Sequence, residues 1–86
     1  MKKSTEQKSV LGKPILVTDA DEFQAQTGYD KSPEYKGALI YPNGGYIFAL
    51  EDGNYELMLD RSQYTDSDLP KLERLLAEWL EAERGE

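Results

Sequence analysis

The feature that most constrains the fold is a stretch of three apolar runs joined by two glycine turns, residues 37–60, GALIYPNGGYIFALEDGNYELMLD. Asn-Gly and Asp-Gly pairs between such runs are strong signals for β-hairpins, because these residue types tolerate the positive φ angles that tight turns need. The stretch therefore predicts three antiparallel strands, connected by tight turns at residues 43–45 and 52–54.

Loop length decides which side chains share a face of this sheet, because a shift of one residue moves a strand's whole apolar set to the other side. With a two-residue turn in the second hairpin, one face holds Tyr46, Phe48, Leu50, Tyr55, Leu57 and Leu59, and the opposite face holds Ile47, Ala49, Glu56 and Met58. For the first hairpin, a two-residue turn adds Leu39 and Tyr41 to the first face, whereas a three-residue loop adds Ala38 and Ile40. The sequence leaves both loop lengths of the first hairpin open.

A short helix is predicted before this sheet. Thr18 and Asp19 are both competent N-caps, Asp19 forms a capping box with Glu22 three residues later, and Gly28 provides a stop after about two turns. Such a short helix is unstable alone, so Phe23 is expected to anchor it in the core. The β-branched segment 15–17 before it predicts an edge strand.

The C-terminal part of the chain predicts a strongly amphipathic helix. Its apolar positions are spaced 3, 3, 1, 3 and 1 residues apart, which is a helical stripe: Leu69, Leu72, Leu75, Leu76, Trp79 and Leu80. Pro70 falls in the first turn, where a missing N–H is tolerated. We expect residues 61–65 to form a polar loop before the helix, and the helix to pack on the face of Tyr46, Phe48 and Leu57.

Together these elements predict a single small α+β domain over residues 10–86. Its architecture is a three- to four-stranded antiparallel meander, packed on a C-terminal amphipathic helix and preceded by a short N-terminal helix. Residues 1–9 lack apolar periodicity and are expected to be a disordered basic tail. The chain has 10 basic and 17 acidic residues and a net charge of −7. Four of its seven lysines lie in the first 13 residues, so the remainder is strongly acidic.

Composition argues against an enzyme. The chain has no His and no Cys, so the commonest general base near neutral pH, a thiolate nucleophile and a zinc knuckle are all missing. Two Asp-x-Asp pairs, at residues 19–21 and 66–68, lie where helices begin, and capping explains them without a metal ion. We therefore expect no cofactor and no metal. No apolar run approaches the length of a membrane span and no signal peptide is recognisable, so we expect a cytoplasmic protein without membrane contact.

The second face of the predicted sheet is the candidate site, because it is too apolar to be merely solvated. Its proposed contact residues are three apolar side chains and the acidic residues around them: Ile40, Ile47, Met58, Glu51, Glu56 and Asp60. An apolar strip rimmed by acids fits a protein partner with a basic rim. Alternatively, residues 10–17 or the short helix cover this face internally.

These features favour a small acidic, non-catalytic protein-interaction module, such as an adaptor, a regulatory subunit or an inhibitor. The alternative is a DNA mimic, whose carboxylates imitate phosphates and block a nucleic-acid-binding protein. Direct binding of nucleic acid is not expected, because an acidic body repels phosphates. The chain is expected to be a monomer, or a homodimer that pairs through an edge strand at residues 15–17 or 37–41. No motif identifies it with a known family.

Overall fold

A computed structural model describes residues 11–83 of the chain. It contains five strands and two helices, in the order β1 (Ile15–Val17), α1 (Ala20–Thr27), β2 (Tyr35–Ile40), β3 (Tyr46–Leu50), β4 (Tyr55–Leu59), β5 (Ser62–Asp66) and α2 (Leu69–Glu83). The predicted α+β class, the antiparallel sheet and both helices are thereby confirmed. The tail expected over residues 1–9 lies outside the described residues.

The five strands form one antiparallel sheet in the order β1-β2-β3-β4-β5, so every strand pairs only with its neighbours along the chain. The meander is confirmed, but the strand count of three to four was too low. The predicted edge strand is β1, with Ile15 opposite Ile40 and Val17 opposite Ala38. The alternative edge at residues 37–41 is wrong, because β2 lies between β1 and β3.

The missing strand is β5, where the sequence suggested a polar loop. Its side chains are polar and mostly exposed, so it lacks the alternation that usually marks a strand. Backbone pairing with β4 forms it instead, with Leu57 opposite Tyr64 and Leu59 opposite Ser62. Asp60 adopts a positive φ of 52° in the tight connection, a conformation that Asp tolerates better than most residues.

Both glycine hairpins close with three-residue loops. In the first, the Tyr41 N–H donates to the Gly45 carbonyl, and in the second the Leu50 N–H donates to the Asn54 carbonyl. The third residue of each loop is a glycine with positive φ, 99° at Gly44 and 93° at Gly53. The two-residue turn predicted for the second hairpin is therefore wrong, and the three-residue alternative is the correct one for the first.

The extra loop residue changes the faces of the sheet. Ala49 now stands opposite Tyr55 and Phe48 opposite Glu56, so Phe48 and Leu57 lie on different sides. The side that we call the helix face packs against α2 and holds the larger core cluster: Leu11, Tyr41, Ile47, Leu57, Leu72 and Leu76. The prediction that α2 covers Tyr46 and Phe48 is wrong, although its apolar stripe was identified correctly.

A buried polar contact fixes α2 on the helix face. The hydroxyl of Tyr41, at the end of β2, donates to Oε2 of Glu73 across 2.8 Å. Tyr41 is only 2% exposed, so burial, followed by the hydrogen bond and the negative charge of Glu73, raises the pKa of its hydroxyl. The contact links the first hairpin to the second turn of α2.

The helix α1 lies on the other side of the sheet, which we call the aromatic face. As predicted, Asp19 is its N-cap and accepts from the Glu22 N–H at 3.0 Å, and Gly28 ends it with a φ of 83°. Phe23 is fully buried against Ala38 and Phe48. No helix within residues 11–83 is long and apolar enough to cross a membrane.

Candidate interaction surface

The aromatic face is built of cross-strand rows that run across the sheet. The first, the covered row, consists of Val17, Ala38, Phe48, Glu56 and Thr65, each opposite the next on the neighbouring strand. The second, the open row, lies two residues further along each strand and consists of Ile15, Ile40, Tyr46, Met58 and Gln63. Tyr46 and Met58 become neighbours in it when the register of Phe48 and Glu56 is extended by two residues. Adjacent strands are about 4.8 Å apart, so each row is about 19 Å long.

Phe48, in the covered row, is in contact with four other aromatic rings. Its ring stacks on Tyr35 at a centroid distance of 4.7 Å and on Phe23 at 5.5 Å. The rings of Tyr29 and Tyr46 meet it edge-on at 5.7 Å and 5.4 Å. Offset stacks and edge contacts of this kind stabilise aromatic clusters beyond the area they bury. The cluster therefore holds the short α1 firmly over one half of the face.

The open row lies beside this aromatic cluster but is not covered by it. Ile40, Tyr46 and Met58 pack against the cluster on one side and remain partly exposed. At the edge of the sheet, Ile15 is 69% exposed. The helix α1 has only eight residues, and its one buried side chain, Phe23, reaches the covered row. The four apolar members of the open row thus form a strip about 14 Å long beside the aromatic cluster.

A nearly buried acid adjoins the open row. Glu56 is 8% exposed, and its Oε2 accepts a hydrogen bond of 2.7 Å from Nε2 of Gln63. The backbone of Glu56 belongs to the covered row, whereas Gln63 belongs to the open row, so this hydrogen bond joins the two rows. Within residues 11–83 the one ion pair is Lys71 with Asp66, so Glu56 has no cationic partner there.

Two tyrosines of the aromatic face, Tyr35 and Tyr46, have hydroxyl groups with raised pKa values. Burial raises the pKa of the Tyr35 hydroxyl, and the negative charges of Glu56 and Glu34 raise it further. The pKa of Tyr46 is also raised, first by burial and then by its neighbour Tyr29. Both phenols therefore remain neutral hydrogen-bonding groups on an apolar, acidic surface.

Three of the six residues predicted for the site are brought together on this face. Ile40 and Met58 belong to the open row, and Glu56 is adjacent to it. Asp60 is exposed in the connection directly after β4, two residues beyond Met58.

The other two predicted residues lie elsewhere. Ile47 is fully buried on the helix face, so the expectation that it shares a face with Met58 is wrong. The cause is the three-residue loop of the second hairpin, which reverses the two faces of β3 relative to β4. Glu51 is exposed in that loop, at the end of β4 away from Asp60.

Sequence reasoning missed three members of the open row: Ile15, Tyr46 and Gln63. Tyr46 was placed on the face of α2, and Gln63 was placed in a loop. A glycine at the third loop position is the signal that could have located Tyr46, because a type I turn followed by a left-handed glycine is a recognised three-residue hairpin. No comparable signal marks Gln63, whose strand is polar throughout.

A concave part of the described chain lies outside the aromatic face. A shallow depression is lined by Glu34, Leu50, Glu51 and Asp52, of which the three acids are exposed. No group of three or more potential metal ligands among His, Cys, Asp and Glu comes together within residues 11–83. The aromatic face is therefore the most distinctive surface of the described chain.

The chain was compared with models of protein families, with curated proteins and with solved structures, and none of the three comparisons found a match.

Proposed function

We propose that this protein is a small, acidic, non-catalytic interaction module of the cytoplasm that binds a protein partner through the open row. The observation that supports this function is the outward-facing apolar row of Ile15, Ile40, Tyr46 and Met58 beside the cluster held by α1. Contiguous exposed apolar surface rimmed by polar groups is typical of protein interaction sites. The roles that fit are those of an adaptor, a regulatory subunit or an inhibitor.

The rim of the open row supports a protein as the ligand. A protein interface combines an apolar centre with polar groups around it, and aromatic and Met side chains are enriched at such centres. Here Tyr46 and Met58 lie in the row, with Gln63 and Glu56 at one end and Asp60 close by. Since the aromatic cluster already fixes the neighbouring side chains, binding requires little additional ordering of this surface.

The test is to replace Met58 by Lys and compare affinity capture from the source lysate with that of the wild type, using quantitative mass spectrometry. A lysine in the centre of an apolar contact places a charge where the partner offers no water, so we expect at least about a tenfold loss of one specific partner. Thermal unfolding should stay within about 5 °C of the wild type, because Met58 is only partly buried.

The matched control is Tyr64→Lys. Tyr64 is also a partly exposed large side chain, but it stands opposite Leu57, on the side of the sheet that faces α2. This variant should capture the same partner as the wild type. Equal capture by Met58→Lys and wild type would contradict the proposed surface.

The alternative function, a DNA mimic, is supported by the last turns of α2, where Glu78, Glu81 and Glu83 are exposed. A mimic would bind through such carboxylates, and its complex would dissociate at high salt, because screening acts on exposed charges within about 10 Å at 0.1 M. The double variant Glu78→Gln with Glu81→Gln distinguishes the two functions. It should release the partner of a mimic and leave a partner bound at the open row in place.

A further inference from the structure

We propose that the partner of the open row is a polypeptide segment that places an apolar side chain on Tyr46 and Met58 and a Lys or Arg side chain against the carboxylate of Glu56. This inference rests on the proposed function, because it concerns the same surface. It adds the chemistry that the partner must present.

The first argument is the position of the Glu56 carboxylate. Glu56 is more than nine-tenths buried, and Phe48 stands opposite it on one neighbouring strand. The hydrogen bond from Gln63 engages Oε2 and joins the carboxylate to the open row, where Met58 stands opposite Gln63. A group seated on Met58 therefore lies close to this carboxylate.

The second argument is the cost of an unpaired buried charge. A carboxylate with little contact to water is costly unless it is both hydrogen-bonded and paired with a cation. Within residues 11–83, Glu56 has the hydrogen bond but no cation within ion-pair distance. A partner that brings a cation supplies the missing interaction and shields it from solvent at the same time.

The third argument is the charge of the whole surface. Residues 11–83 contain fifteen acidic and six basic side chains, so a basic segment is attracted from a distance and an acidic one is repelled. A segment that presents an apolar and a basic side chain on the same side, two residues apart if extended or three to four apart if helical, contacts both the open row and the carboxylate of Glu56. Arg fits the site well, because its planar fork donates two hydrogen bonds to one carboxylate.

The experiment is a selection of random twelve-residue peptides displayed on phage against the full chain, followed by affinity measurements with the selected peptides. We expect the peptides to share an apolar or aromatic residue two positions from a Lys or Arg, or three to four positions from it in a helical peptide. Glu56→Gln keeps the size and hydrogen bonding of the side chain but removes the charge, so it should weaken these peptides at least tenfold. Glu78→Gln, which removes one charge from α2, should change affinity less than twofold.

The outcomes separate this inference from the proposed function. Peptides that need Met58 but bind Glu56→Gln as well as the wild type would overturn the basic partner and leave the interaction surface intact. A selection that enriches no peptide over the Met58→Lys variant would overturn the surface itself.

The occupant could instead come from the protein alone, and carbodiimide cross-linking tests this, since the reagent joins carboxylates directly to lysine amines. A cross-link from Glu56 to Lys2, Lys3 or Lys8 of the same chain, or to a second copy, would overturn the proposal of a separate partner. We expect no cross-link at Glu56 in the isolated protein and one at this residue when a selected lysine-containing peptide is added.

Discussion

At the scale of single residues, the structure depends on a few contacts that join its layers. The β-carbon of an alanine at Gly45 would lie 2.7 Å from Cδ2 of Leu76, so α2 rests directly on the end of the first hairpin. The hydrogen bond from Tyr41 to Glu73 secures the same contact region, and burial makes it resistant to competition by water. The orientation of α2 thus depends on Gly45, which has no side chain to clash with Leu76, and on the hydroxyl of Tyr41, which donates a hydrogen bond to Glu73.

Replacing Tyr41 by Phe should destabilise the protein by about 1–2 kcal/mol near neutral pH, because a buried hydrogen bond to a charged group is lost. The raised pKa of Tyr41 adds a pH dependence. The folded protein retains this proton above pH 10, where the unfolded chain releases it, so the contribution is complete below about pH 10 and is lost as the pH rises further.

Urea denaturation of both proteins between pH 7 and pH 11 measures this effect. The stability of the wild type should fall more steeply above about pH 10 than that of Tyr41→Phe, by up to about 1.4 kcal/mol per pH unit, so the two curves converge. Tyr35 and Tyr46, whose pKa values are also raised, titrate in both proteins and cancel in the comparison. If the free energies of unfolding of the two proteins changed in parallel with pH, the titration of Tyr41 would not contribute to the pH dependence of stability.

At the scale of elements, the sequence specifies helices better than it specifies register. The caps of α1 and the leucine stripe of α2 are local patterns, and both were predicted correctly from residues next to one another in the chain. Which face α2 covers depends on whether the second hairpin has two or three loop residues, and an Asp-Gly pair is compatible with either. Both hairpins have one loop residue more than the two-residue turns on which that face was based, and the two shifts cancel for β2 and β4. Ile40, Met58 and Glu56 were therefore assigned correctly to one face, whereas Ile47 on β3 was not.

The strand β5 was not predicted, for a different reason. Its residues are polar and mostly exposed, and the pairing with β4 that forms it is a long series of backbone hydrogen bonds rather than a side-chain pattern. An edge strand with one partner and little burial leaves no hydrophobic periodicity in the sequence. Because β5 was not predicted, its residue Gln63 was not assigned to the open row.

The edge strand β1 should depend on Gly37. A β-carbon at this position would lie 2.6 Å from the backbone carbonyl oxygen of Val17, which cannot move without separating β1 from β2. We expect Gly37→Ala to destabilise the protein by about 1–3 kcal/mol. Hydrogen exchange should show the increase in amide exposure concentrated in residues 15–17.

The neighbouring variant Lys36→Ala is the control, since Lys36 is exposed on the same strand. Its stability should stay within about 0.5 kcal/mol of the wild type. Equal stability of Gly37→Ala and Lys36→Ala would mean that the sheet adjusts to the added β-carbon.

At the scale of the whole molecule, the sheet separates two unlike surfaces. One side is closed by α2, whose fifteen residues cover the larger cluster. The other side is closed only in part, because α1 has eight residues and inserts a single buried phenylalanine, Phe23. The candidate interaction surface follows from this difference in helix length.

The strand order also has a consequence for the speed and sequence of folding. Strands β2 to β5 are joined by short connections, whereas β1 and β2 are separated along the chain by α1 and the residues around it. Contacts between sequence neighbours form quickly, since little chain entropy is lost in closing a short loop. We therefore expect the β2–β4 meander to be structured in the transition state, and β1 with α1 to dock later.

Stopped-flow kinetics of two conservative core variants test that order. Ile47→Val, within the meander, should mainly slow folding, whereas Phe23→Leu, on α1, should mainly accelerate unfolding. The reverse assignment of the two effects would contradict it. If the order holds, the last step of folding is also the one that decides how much of the aromatic face is closed, so the protein passes through a state in which Phe48 is as accessible as Met58.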